Sequence, residues 1–308
     1  MRWTRMNAGA ATMVFLVAFA SPLALGACDD EPEAPVEAPL EAPEAPPLTA
    51  TLRTFSLDRS SSAVDFLMEA PLENIHGVVP HSMEGELFVD LADLSRSRGL
   101  IKIDIDPLEL FQRKRESEDE ELGEEVKSDT QNEHARTWFQ ISEDAPAEIR
   151  EANRYAQFAV TRISDASAMN VLEMEGDERT VTLTAHGDFH LHGHTAQKSA
   201  ELELTFAFEG DEVRSMRVRT VSPITVSLAE HEIRPRSAFG TLAQATLSTL
   251  GEKIAEAAPI TFEVTANAGD PCEDIPAMDV AASAEAQAAC GLGVDDEAGE
   301  GGLPPTDG

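Results

Sequence analysis

The sequence predicts an all-β protein, its antiparallel strands closed into a barrel with one or two short helices alongside. Three observations lead there. Apolar residues recur at every second position in seven segments of a body spanning about residues 50–267, the period at which one face of a strand is buried. Each segment keeps its other face polar, which suits antiparallel sheets wet on one side and argues against the continuously apolar strands of a parallel α/β core. Only two stretches, about 132–153 and 238–258, carry helical spacing, too few for an alternating β–α architecture. Closure into a barrel removes the exposed edges of so many one-sided strands.

The chain of 308 residues opens with a segment unlike the rest. Arg2 and Arg5 form a positive start, residues 8–24 are apolar, and Leu25, Gly26 and Ala27 precede Cys28. Residues 1–27 therefore read as a signal peptide, and the small residues before Cys28 resemble a lipobox, which makes Cys28 the expected lipidation site. The apolar run is short, contains Pro22 and is followed by acidic residues, so it does not read as a membrane span. The expected location is the bacterial cell envelope, lipid-anchored to the inner or outer membrane and facing periplasm or exterior.

With Cys28, residues 29–48 make a linker holding seven acidic residues, six prolines and no basic one. Such a segment cannot bury a core and is expected to stay extended as a spacer, at about 3 Å per residue in polyproline geometry. Residues 268–308, with ten acidic residues and no basic ones, are expected to be largely disordered. That tail holds Cys272 and Cys290. In an oxidising envelope these two read as a disulfide closing a loop of about 18 residues, which would remove roughly 3 kcal/mol of unfolded-state entropy.

Charge excludes whole classes of partner. The chain carries 23 Lys and Arg against 57 Asp and Glu, a formal charge of -34, and loss of Arg2 and Arg5 leaves -36. Nucleic acid and anionic lipid surfaces both require clustered cations. Neither is an expected partner.

Within the body the strands follow in order. Val64, Phe66 and Met68 oppose Asp65; Ile101, Ile103 and Ile105 oppose Lys102 and Asp104. The helical stretch 132–153 then brings Trp138 and Phe139, which either cap one mouth of the barrel or pin the helix to the sheet. Val181 and Leu183 alternate with Thr180, Thr182 and Thr184. From Glu201 to Glu209 the apolar Leu202, Leu204, Phe206 and Phe208 all point one way. Met216 and Val218, then Ile224, Val226 and Leu228, and finally Ile260, Phe262 and Val264 repeat the pattern.

Four short motifs carry a family resemblance. The run Asp58 to Phe66, DRSSSAVDF, is similar to D-x-x-H-S-x-V-x-F, with Ser61 where histidine is common. Gly85 to Ser97, GELFVDLADLSRS, Gly187 to Thr195, GDFHLHGHT, and Glu230 to Pro235, EHEIRP, follow in the same order. Together they resemble the YceI-like family of lipocalin-like envelope barrels, some of which bind polyisoprenoid chains. Residues 113–129 look like an acidic loop insertion, and residues 132–139 match the family's R-D-x-H region only loosely. The resemblance implies a lipocalin-like barrel holding a lipid-like small molecule.

On inward parity lie Phe66, Ile103, Phe158 and Leu183, and also Phe189, Leu204, Phe206 and Phe262. With Trp138 these are the candidate ligand-binding residues lining a cavity, the alternative being that they fill a closed core. A cavity so lined would hold an isoprenoid or fatty-acid derivative, at about 0.8 kcal/mol per buried methylene.

His190, His192 and His194 alternate, so on a strand they share one face within reach of a zinc or copper ion, with His186 nearby. Their parity opposes Phe189 and Leu191, which predicts a wet exterior position. Metal binding there is the rival function, and a non-catalytic interaction module is a third. No GxSxG, HExxH, CxxC or phosphate-binding glycine loop occurs, so neither catalysis nor a cofactor is expected.

Overall fold

The computed structural model describes residues 37–47, 49–234, 236–237, 240–241 and 256–269. The signal peptide, Cys28, Cys272 and Cys290 lie outside the described residues.

The strands are β1 (Leu52–Leu57), β2 (Ala63–Ala70), β3 (Glu73–Pro80), β4 (Met83–Asp90), β5 (Arg98–Asp104), β6 (Glu109–Lys114) and β7 (Val126–Lys127). Two helices follow, α1 (Asp129–Trp138) and α2 (Ala147–Asn153), then β8 (Tyr155–Ser164), β9 (Glu178–Leu191), β10 (His194–Glu209), β11 (Glu212–Thr220) and β12 (Ile224–Ser227). A two-residue pair, β13 (Arg236–Ser237) and β14 (Gly240–Thr241), precedes β15 (Ala257–Ala268). The predicted helix 132–153 is thus two helices, interrupted around Gln140, whose φ of 56° leaves the helical region. Of the predicted helix 238–258, Gly240 and Thr241 are in β14 and Ala257 and Ala258 in β15, while residues 242–255 lie outside the described residues.

Eight antiparallel strands form the ring β1-β4-β5-β8-β9-β10-β11-β15, which β15 closes by pairing Ala266 to Ala268 with Leu57 to Phe55 of β1. This is the lipocalin-like antiparallel barrel that the alternation predicts. Further along, the same edge of β15 pairs Ile260 with Phe66 of β2, and β2, β3, β6 and β7 continue as neighbours. So β1 and β2 are one strand broken at residues 58–62, β4 and β3 are another broken at 81–82, and β5 and β6 a third broken at 105–108. The breaks fall at one level.

The local sequence explains the breaks. Asp58 accepts from the backbone N–H of Ser60 at 2.9 Å and caps a 3₁₀ turn, Arg59–Ser61. Ser62 Oγ accepts from the N–H groups of Ser82 and Met83 at 2.9 and 3.0 Å, tying the first break to the second. Asp104, expected on the wet face, is buried. Its carboxylate accepts from Arg59 at 2.8 Å and from both Arg154 Nε and Nη2 at 3.0 and 2.8 Å, and its backbone N–H donates to the Ser82 carbonyl at 2.9 Å, so that the residue joins all three breaks. Two cationic forks over the carboxylate explain how a charged residue survives in the wall.

Above the breaks the barrel is solid. Phe55 and Phe206 meet edge to face at 6.2 Å, and Met216, Val181 and Val264 are fully buried around them. The second motif seals this end: Asp90 accepts from Thr51 at 2.6 Å, and Asp93 caps the turn Leu94–Arg96. In the third motif, a Cβ on Gly187 would stand 1.9 Å from the Ala159 carbonyl oxygen, so β8 and β9 approach this closely only at glycine. His192 and Gly193, with φ of 52° and 76°, form the two-residue turn that joins β9 to β10.

Glu37 and the residues after it correct the spacer expectation. The backbone N–H of Glu37 donates to the Gly193 carbonyl at 2.8 Å, and that of Leu40 to Gln157 Oε1 at 2.6 Å. This part of the linker is fixed to the barrel wall because its free backbone donors find acceptors at the β9–β10 turn and on β8.

Candidate ligand-binding cavity

Below the three breaks the ring opens and α1 lies across the gap. Ser128 caps the helix by accepting from the Gln131 N–H at 3.3 Å. Asn132 pins it to β6, accepting from the Leu110 N–H at 3.0 Å and donating to the Leu110 carbonyl at 3.3 Å. Arg136 pairs with Asp106 at 2.8 Å. One face of α1 is thereby held over the interior.

Beneath it is a cavity of about 330 Å³. Its wall is built from β2 to β6, β8 to β10, β12, β15 and α1, and is overwhelmingly apolar. Six of the predicted lining residues border it: Phe66, Ile103, Trp138, Phe158, Phe189 and Phe262. Trp138 stacks on His134 with ring centres 6.2 Å apart, so it both borders the cavity and completes the helix face. Leu183, Leu204 and Phe206 do not border it. They are buried in the solid half of the barrel, because parity assigns a side chain to the interior without assigning its height along the axis.

Polar groups are few and sit apart. At the end nearest the start of α1, Glu73 is 8% exposed and borders the cavity. Its Oε1 accepts from Gln131 Nε2 at 2.8 Å and from Gln112 Nε2. Toward β12, Lys198 borders the cavity and is tied to Glu230, whose carboxyl its hydrogen bond holds below the usual range. Sequence reasoning missed all four of Glu73, Gln112, Gln131 and Lys198. Glu73 was findable, since it shares inward parity with Ile75 and Val79.

The histidines are where the exterior expectation fails. His190 is 1% exposed, not solvated, with Nδ1 3.0 Å from Thr195 Oγ1. Glu37 bonds the same threonine, which lowers its carboxyl from the ordinary range and covers this stretch of wall. His192 is in the turn, where left-handed backbone breaks the alternation, and its Nδ1 donates to the His231 carbonyl at 3.0 Å. His231 is fully buried, donates from Nδ1 to the His194 carbonyl at 3.1 Å, and meets Phe189 edge-on at 5.4 Å. Burial pushes both His190 and His231 down. His190, His192 and His194 therefore do not share a metal-binding face. Among the described residues no group of three His, Cys, Asp or Glu is placed to hold a metal ion.

No family model and no curated protein matches the chain. Several solved structures resemble it, among them these two. One is a polyisoprenoid binding domain from Saccharophagus degradans implicated in plant cell wall breakdown, 16% identical, covering 70% of this chain and 98% of that one, with a TM-score of 0.41. The other is Burkholderia cenocepacia BcnA, 12% identical, covering 68% of this chain and 98% of that one, also with a TM-score of 0.41.

Proposed function

We propose that this protein is a non-catalytic binder of long-chain amphiphiles, isoprenoid or fatty-acid derivatives, held in the bacterial envelope by lipid on Cys28. The observation that carries the reading is the apolar cavity below the strand breaks, about 330 Å³ and lined by Phe66, Phe158, Phe189 and Phe262. A well-packed barrel of this size has no structural need for such a void, and empty apolar space costs stability. Its volume falls at the small end of the range for small-molecule sites, roughly 300–1,000 Å³. Ten buried methylenes would contribute about 8 kcal/mol, enough to offset a substantial part of the entropy of capture. The anchor supplies the membrane link that a net charge of -34 denies to the surface.

Native mass spectrometry of the protein purified from a bacterial envelope tests this directly. A co-purifying lipid, displaced by a fluorescent isoprenoid or fatty-acid probe, is the expected result. Absence of any bound lipid, with no probe binding, would remove the carrier role.

A further inference from the structure

One end of the cavity carries a buried carboxylate, Glu73. Glu73 is more than nine-tenths buried, yet among the described residues it has no ion pair. Lys114, opposite it across the β3–β6 ladder, is exposed and outside ion-pair distance. Both amide donors, Gln112 and Gln131, fall on Oε1. Oε2 has no hydrogen-bond partner among the described residues, and the side chain borders the cavity. With one oxygen satisfied by two amides, the carboxylate has Oε2 left as an acceptor for whatever occupies the cavity.

We propose that Glu73 selects amphiphiles whose head donates a hydrogen bond, long-chain alcohols or amines, over those ending in a carboxylate or phosphate. The inference rests on the cavity holding an apolar chain. An alcohol O–H or amine N–H meets Oε2 with a donor, satisfying the last acceptor of the carboxylate. An anionic head brings a second negative charge to the same spot in a poorly solvated site. Gln112 and Gln131 each already donate one N–H to Oε1.

The test compares heads on one chain length in the full protein: hexadecanol, hexadecylamine and palmitate, each displacing a neutral fluorescent isoprenoid probe at neutral pH. Alcohol and amine are expected to bind about tenfold or more tightly than palmitate. In Glu73→Gln, which keeps the shape and removes the charge, palmitate is expected to come within about threefold of the alcohol. Equal affinity of the three ligands for the unaltered protein would overturn the selection by Glu73 and leave the carrier reading standing. Failure of all three, and of the probe, would overturn both. The comparison on the unaltered protein decides the matter even if the variant folds poorly.

Discussion

Replacing Asp104 with asparagine removes the charge on which three strand breaks converge. Burial alone would raise this carboxyl, but hydrogen bonds from Arg154 and Arg59 outweigh it and hold it at about 2 against an ordinary 3.8. At about 1.4 kcal/mol per tenfold, that difference is roughly 2–3 kcal/mol of preference for the ionised form in the folded state. Asparagine keeps the shape but leaves both guanidinium groups facing a neutral acceptor, so a loss of at least this size is expected. The folded value is depressed, so the contribution is complete above about 3.8 and disappears as pH falls toward 2. Urea unfolding followed by the fluorescence of Trp138, the only tryptophan after Trp3, measures it. At neutral pH Asp104→Asn should unfold with a free energy roughly 2–3 kcal/mol below the unaltered protein, and the gap should narrow as the medium approaches about pH 3. A variant within about 0.5 kcal/mol at neutral pH, or a gap that ignores acid, would show that the two arginines do not depend on this carboxylate.

Gly187→Ala should destabilise by about 2 kcal/mol or more in the same assay, because the new methyl would meet backbone at 1.9 Å; a neutral effect would contradict the close approach of β8 and β9. His190 and His231 have folded values below the ordinary 6.5, so their neutral forms favour the folded state. That contribution is present above 6.5 and is lost as pH falls below it, whereas His76, raised by its hydrogen bond to Asp65, works in the opposite direction. A melting temperature that falls between pH 7 and about pH 5, with a flatter profile in His231→Gln, is expected; identical profiles would mean that the buried ring does not carry the effect. Ala156→Phe, placed in the cavity wall beside Ile103, should weaken probe binding about tenfold while changing stability by less than about 2 kcal/mol. Undiminished binding would locate the ligand elsewhere.

The ring was legible from sequence because several wall strands alternate dry and wet sides, as in Leu202 to Phe208 against Glu201 to Glu209. The breaks were not. They depend on Ser62 and Asp104 reaching residues about 20 and 50 positions away, contacts with no local periodic trace. The same limit divided the site: Phe189 and Phe206 share inward parity, but only Phe189 is below the breaks, beside the cavity. The histidines misled for a different reason. Their outward parity was a sound basis for solvation, and burial came from Glu37 and from the segment around His231, which cover that face from far away in the chain. Of the four motifs behind the family resemblance, the second holds only turns of the closed end, while the others each place a residue in the cavity wall, Phe66, Phe189 and Ile233.

The seam across the barrel has an evolutionary corollary. Because three strands restart below it, the residues that border the cavity, such as Phe66, Glu73 and Trp138, are largely separate from those that fill the closed half, such as Phe55, Phe206 and Met216. Substitution in one half can therefore reshape the cavity while the other continues to guarantee the shape, a division of labour that leaves descendants of one scaffold free to diverge in the hollow they enclose.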